Sequence, residues 1–208
     1  MNRELLPLFS TPISISQNKD MAEQYYPAIR DLEYSRMAAN GWLSKDSYVL
    51  EQKRFKPLKD YIQSCIHYYI HEDLSYQDDV EFYITNSWAT IHNKNDYASQ
   101  HDHTNSLISG TFYINIPEDD QSVFSLHSNN SSVFPRAFNL NEKEFNLYNA
   151  QQYSIKPSTG TTILFPSHVV HSTSAQTSEE NRYCLAFNTF IRGTLADKFS
   201  NINTLHIK

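Results

Sequence analysis

Three histidines and one arginine are the residues of this chain whose types and spacing can do chemistry. His101 and His103 flank Asp102 in "QHDHTNSLISGTFYINIP", so both imidazoles face one side if the segment is extended. His171 follows in "FPSHVVHSTSAQ", seventy residues on (171 − 101), ahead of a last strand. Three imidazoles, or two with an oxygen ligand, can occupy one face of an octahedral iron(II) and leave the other open. Arg182 opens "NRYCLAFNTF", eleven residues after His171 (182 − 171). By alternation Arg182, Cys184, Ala186 and Asn188 share a small, polar face suited to a cavity, and Tyr183, Leu185 and Phe187 share the other. A guanidinium inside a barrel needs an anion, and its planar fork matches a carboxylate. Tyr113, in "GTFYINIP", can bring a hydroxyl to the same carboxylate from a neighbouring strand. Each residue also has a plain reading. The chain holds nine His and fourteen Tyr, and Arg182 could pair with Glu179 or Glu180.

The elements that must position these groups change character once, near residue 78. Before it, helical periodicity dominates. A helix is expected over Met21 to Ala39, with Tyr25, Ile29, Leu32 and Arg36 on one stripe and Asn40-Gly41 as its stop. Pro27 suits a first turn, which would start the regular helix near it. A second helix is expected over Lys56 to Leu74, burying Leu58, Ile62, Cys65, Ile66, Tyr69 and Ile70. From Val80 the pattern alternates in "VEFYITNSWATIH", "LISGTFYINIP", "SVFSLHS", "TGTTILFP" and "NRYCLAFNTFI". Turn signals such as "NKND", "PEDDQ", "SNNSS" and "KPSTG" separate these runs. Helices followed by six or more strands predict a mainly β fold with N-terminal helices, a sandwich or jelly roll. Its strand ends would gather the distant histidines at one mouth. The expectation is a single domain over 1–208, with a helical support region (1–78), a jelly-roll core (79–193) and a C-terminal tail (194–208).

Composition excludes several other classes. With 39% apolar and 19% charged residues, the chain can build a core and is not of the disordered type. Its net charge of −6, without a basic cluster, disfavours nucleic acid as a partner. Cys65 and Cys184 read as reduced thiols, no run approaches a membrane span, and "MNRELLPLFSTPISISQ" lacks a secretory apolar stretch, so a cytoplasmic location is expected. Other candidates fall away on pattern. His67 and His71 stand four apart on the second helix, a spacing able to hold zinc, but they flank its apolar stripe and read as a solvated edge. His168 competes with His171 as a ligand. His92 and His127 read as strand-edge or loop residues, Cys184 as small packing and "PEDDQ" as a solvated turn. The connection "SSVFPRAFNLNEKEFNLYNAQQ" is long enough for a lid or recognition loop.

In order, "HDHTNSLISGTFYI", "PSTGTTILFPSHVVHS" and "NRYCLAFN" resemble the successive blocks of the 2-oxoglutarate- and iron(II)-dependent oxygenases. The likeness is greatest to oxygenases of marine bacteria and their phages, distant relatives of prolyl hydroxylases. "LPLFSTPI" and "NGWLSKDSYVL" extend it over nearly the whole chain. The resemblance implies a double-stranded β-helix of cupin-like jelly-roll type. His101 then matches the first iron ligand and His171 the last, Arg182 the base that grips the distal carboxylate of 2-oxoglutarate, and Tyr113 its hydroxyl partner. Asn188, and Tyr97 more loosely, fall where the family lines the pocket beside the co-substrate. The wider superfamily carries Asp or Glu two residues after the first histidine, and this chain carries His103. A three-histidine site is the first reading. Asp102, re-aimed by a bulge, or a register using His103 with Asn105 are the others. The bulk of an imidazole at this position argues against a halogenase.

The implied activity couples oxidative decarboxylation of 2-oxoglutarate to succinate with oxidation of a C–H bond, as in a hydroxylase. Fe(II) and 2-oxoglutarate are the implied cofactors, with ascorbate as reductant. Dioxygen and a small molecule or protein side chain complete the implied partners. A homodimer is left open, as is host cytoplasm for a phage-encoded protein. The alternatives are a non-catalytic cupin-type binding or phage accessory protein, and a metal enzyme that works without the keto acid.

Overall fold

The structure, a computed structural model, describes residues 1, 3–6, 10–37, 41–128, 143–195 and 204–208. The first helix, α1 (Lys19–Arg30), is fixed at its start by Asn18, whose side chain accepts the Met21 N–H at 3.0 Å. That cap places the start eight residues before Pro27 (27 − 19), so Pro27 lies inside the helix. The helix also stops short of Ala39. From Tyr34 the backbone pairs as a strand, β2 (Tyr34–Arg36), with β3 (Trp42–Ser44), and this ladder replaces the helical bonds expected there. The second helix, α2 (Lys56–His67), starts with Pro57 in its first turn and continues as a π-helical segment over Tyr68–Asp73. Leu58, Ile62, Ile66, Tyr69 and Ile70 are buried along it as the stripe predicts, while Cys65 is half-buried.

Two antiparallel sheets form the body. The larger begins with β1 (Ser14–Gln17) and also takes β4 (Val80–His92), β6 (Ile108–Asn115), β9 (Thr161–Pro166) and β11 (Arg182–Leu195). Its order is β1-β9-β6-β11-β4-β3-β2, and β12 (Leu205–Ile207) pairs with the end of β11. The smaller sheet has the order β5-β10-β7-β8, from β5 (Ala98–His101), β7 (Phe124–His127), β8 (Gln152–Ile155) and β10 (Val170–Thr173). This is the expected double-stranded β-helix. The residues before 78 contribute strands to it as well as helices, and the C-terminal residues return to it as β12.

The alternation of β11 divides the core. Tyr183, Leu185 and Phe187 join the cluster that packs α1 and α2 onto the outer face of the larger sheet. Cys184 faces inward with Tyr113, Phe124, Ile163 and Phe165, between the sheets. At Gly110, opposite Phe187, a Cβ would stand 2.4 Å from the phenyl ring, so only glycine lets that ring seat. The inner face of β11, with Arg182 at one end and Asn188 at the other, lines the mouth of the fold.

Candidate metal centre

Pairing of β10 with β5 sets His171 opposite His101. His103 lies two residues past the end of β5, where its N–H bonds the Ser167 carbonyl at 3.0 Å. The ring centroids are 4.3 Å apart for His101 and His171, 5.3 Å for His101 and His103, and 5.0 Å for His103 and His171. One ring nitrogen from each lies within 4.8 Å of the other two. Their second nitrogens identify which. His101 Nδ1 meets the Ser99 carbonyl at 2.7 Å, His171 Nδ1 the Val169 carbonyl at 3.0 Å and His103 Nδ1 the Asn188 amide oxygen at 2.5 Å. A carbonyl oxygen only accepts, so each Nδ1 carries the proton and each Nε2 keeps its lone pair.

The surroundings of His103 and His171 disfavour a charged ring. Burial holds His171 down to about 3, helped by the neighbouring imidazoles and opposed by the Val169 carbonyl. Burial also lowers His103, and its bond to Asn188 only partly offsets this. The rings of Phe165 and Phe124 flank His171, and Trp88 lies against His103. Three neutral nitrogen donors beside an opening on the exposed side of His101 fit a divalent transition metal. Asp102 is exposed and outside the cluster, and Asn105 occupies a left-handed turn (φ 56°).

Asn188, expected to line the pocket beside the co-substrate, is engaged with His103. Its amide oxygen also accepts from Ser109 Oγ at 2.7 Å. Ser109 and Ser167 share a 2.7 Å contact, Ser167 donates to Ser106 at 2.7 Å, and Ser106 donates to the Ile108 and Thr189 carbonyls. Spacing in the sequence does not reveal these serines, because two strands, β6 and β11, and two loops bring them together.

At the other end of β11, Arg182 is 1% exposed. Its Nη1 donates to Ser122 Oγ and its Nη2 to His92 Nδ1, with Thr173 Oγ1 at 3.4 Å from Nη2. Asp120 Oδ2 stands 3.8 Å from Nη1, while Nε has no partner. The buried anion beside the arginine is therefore Asp120, not Glu179 or Glu180. Two sequence expectations change here. His92, read as a strand-edge or loop residue, ends β4 and is buried there directly opposite Arg182, and the close approach of Gly41, where a Cβ would stand 2.6 Å from the His92 ring, shuts it in. Asp120, in the presumed solvated turn, is 2% exposed. Burial pushes Asp120 up, but bonds from Ser122 and Thr177 and the Arg182 charge outweigh this and hold it below the usual carboxylate range. Tyr113 is buried close by on β6, opposite Cys184, and burial raises its hydroxyl well above the ordinary value, so it remains a donor. Burial likewise pushes the Cys184 thiol up to about 11, in keeping with a packing role.

The two ends communicate along β10. His171 and Thr173 lie on one face of that strand, about 7 Å apart at two residues' rise, and Thr173 touches Arg182. A short molecule could thus reach from the imidazoles to the guanidinium.

The remaining candidates lie elsewhere. His168 is exposed in the turn before β10, and Tyr97 is exposed just before β5. His127 bonds Ser172 Oγ at 2.8 Å on the smaller sheet. A cleft of about 590 Å³ contains His67, His71, Asp78 and Arg192, away from the histidine cluster. There His71 Nδ1 is already met by the Tyr76 carbonyl at 3.0 Å and Asp78 at 2.9 Å, while His67 and Asp78 face water. Most of the presumed lid, residues 131–142 of 131–152, lies outside the described residues. Among the described residues no helix is long and apolar enough to cross a membrane.

Residues 86–188 match a family model described as "Putative 2OG-Fe(II) oxygenase". No curated protein matches the sequence. Among solved structures, a prolyl-4-hydroxylase from Pseudomonas putida is similar at 11% identity and a TM-score of 0.57, over 88% of this chain and 95% of that one. HygX from Streptomyces hygroscopicus, with nickel and 2-oxoglutarate bound, is similar at 12% identity and a TM-score of 0.59, over 86% and 82%. The viral collagen prolyl hydroxylase of Paramecium Bursaria Chlorella virus-1, as its 2-oxoglutarate complex, gives 13% and 0.54 over 87% and 95%. Both the histidine cluster and Arg182 fall inside the matched segment.

Proposed function

The chain belongs to the 2-oxoglutarate- and iron(II)-dependent oxygenases, and on that footing we propose that His101, His103 and His171 hold the iron through Nε2 while Arg182 and Tyr113 hold the far carboxylate of 2-oxoglutarate. The carrying observation is the pair of features on one face of β10: the imidazole cluster at His171 and the Arg182 contact at Thr173, about one dicarboxylate length away. When bound, the metal and keto acid supply the oxidising power for attack on a C–H bond, with succinate as co-product.

The chain's own residues bind, orient and exclude water. Each imidazole is fixed in orientation before metal arrives, because its Nδ1–H is already committed to an oxygen. Arg182 is held extended by Ser122 and His92, with Nε unsatisfied, so it meets an incoming carboxylate without rearranging. Asp120 balances its charge in the meantime. Tyr113, protonated and desolvated, supplies a neutral hydroxyl beside that charge. Hydroxylation is the outcome proposed. The substrate enters past the exposed edge of His101 and the Trp88 ring.

Anaerobic loading with Fe(II) tests the reading. One equivalent of tightly bound iron, a visible absorption band on addition of 2-oxoglutarate and succinate formed under dioxygen are expected. Iron that does not bind, or binds without any response to 2-oxoglutarate, would overturn it.

A further inference from the structure

We infer that Asn188 is the positioning residue that turns His103 into a metal ligand, an inference that rests on the three-histidine reading above. The three imidazoles are oriented by different means. His101 and His171 each use the carbonyl two residues earlier on their own segment. His103 stands beyond the end of β5, and its acceptor comes from a strand 85 positions away. The third ligand is the one whose ring orientation depends on a distant side chain.

Asn188 is built to hold that acceptor in place. It is 9% exposed, and beside it β4 carries one extra residue, Thr85, whose hydroxyl donates to the Asn188 carbonyl at 3.2 Å. Its amide oxygen receives two donors, His103 Nδ1 and Ser109 Oγ. Ser109 and Ser167 are 0% and 1% exposed, and their hydroxyls continue through Ser106 to two backbone carbonyls. Turning the amide away would leave buried donors without partners, so the network locks it. The backbone of His103 is pinned by the same group, through its N–H to the Ser167 carbonyl.

What the position requires is an acceptor. A neutral amide oxygen accepts Nδ1–H without drawing the proton away, so His103 stays a neutral Nε2 donor. A chain that carries imidazole where relatives carry a carboxylate needs some other group to fix that ligand. Asn188 supplies it from the opposite sheet.

The test uses the full chain loaded with Co(II). X-ray absorption counts imidazoles in the metal shell, and titration gives the Kd. Asn188→Leu, similar in volume but without an acceptor, is expected to weaken Co(II) about 10- to 100-fold and to lower the imidazole count from three to two. Asn188→Asp restores an acceptor and should keep three imidazoles with a Kd within a few-fold of the unchanged chain, which a purely structural amide would not predict. Asn188→Ala serves the same comparison if leucine prevents folding. Three imidazoles and an unchanged Kd in the leucine or alanine variant would overturn the inference, even if the variant melts earlier. His171→Ala separates the two readings: if it binds Co(II) as tightly as the unchanged chain, the three-histidine site itself is wrong. If it loses Co(II) while Asn188→Leu does not, only the role of Asn188 fails.

Discussion

The two ends of the inward face of β11 solve opposite electrostatic problems. At Asn188, the polar groups are neutral and closed: each imidazole donates to a carbonyl-type oxygen and keeps one lone pair for a ligand. At Arg182, the groups are charged and only partly closed. A cation 1% exposed faces an anion 2% exposed at 3.8 Å, with one N–H unsatisfied. Buried neutral donors add little burden to folding once their hydrogen bonds are made, whereas a buried ion pair is sensitive to the loss of either partner. Substitutions at the neutral end should therefore remove metal binding with a modest loss of stability. Those at the charged end should weaken co-substrate binding and stability together.

His171→Ala carries the largest expected effect. Loss of a ligand should weaken Fe(II) by more than the roughly 10- to 100-fold typical of groups around the ligands, and succinate formation should fall to background. Metal titration with succinate quantification checks this, and thermal unfolding of the metal-free variant should show only the modest cost of the lost ring contacts with Phe165 and Phe124. Arg182→Leu comes next. Truncating one member of a buried, hydrogen-bonded charge group costs about 2–5 kcal/mol in binding, so the KM for 2-oxoglutarate should rise by about 30-fold or more with iron affinity unchanged. Unlike His171→Ala, it leaves Asp120 buried without its cation and should lower the melting temperature clearly. Iron affinity lost with Arg182, or stability lost heavily with His171, would break the distinction.

Asp120→Asn sharpens the same contrast more gently, at about 1–3 kcal/mol of stability. Its pH dependence has a definite sign. The Asp120 carboxyl lies below its ordinary 3.8, so its contribution is fully present above that value and is lost as pH falls through the lower folded value. The stability difference between the unchanged chain and Asp120→Asn should be level from pH 5 to 7 and shrink below about pH 4. Urea unfolding at several pH values measures it.

Candidate residues at both ends were legible in the sequence and their partners were not, for a physical reason. Residue type and spacing single out His101, His103 and His171 as candidates, and alternation puts Arg182 on the inward face. Alternation also assigned the faces of β11 correctly, because a strand buried on both sides still separates large residues from small ones. What could not be read is anything that depends on register. His92 becomes a partner of Arg182 because those two residues are opposed in the β4–β11 ladder. Asp120 is buried because Ser122 and Thr177 close over it. The extended helix over Met21 to Ala39 failed in the same way: Tyr34–Arg36 within it pair with β3, and pairing leaves no local signature that outweighs a 3.6-residue period. Asn188 lay on the predicted face, but its partner, His103, comes from beyond the end of a strand in the other sheet, which alternation does not reveal.

Asp102→Asn carries the smallest expected effect, and it decides which residue of "HDH" completes the site. Asp102 is exposed and stands outside the cluster of convergent nitrogens, between two residues whose rings stack at 20° on the other side of the chain. Its influence on the centre is then only that of a solvated charge, worth about 1 kcal/mol at 4 Å in water and less with salt. Asp102→Asn should change the Co(II) Kd by no more than about fivefold at low ionic strength, and by less than twofold at 0.5 M salt as the Debye length contracts. The imidazole count should stay at three. A carboxylate that ligated the metal would behave otherwise, because a coordinate bond is not screened by salt. A loss of 100-fold or more that persists at high salt would move the third ligand from His103 to Asp102, and with it the reason for an amide at Asn188.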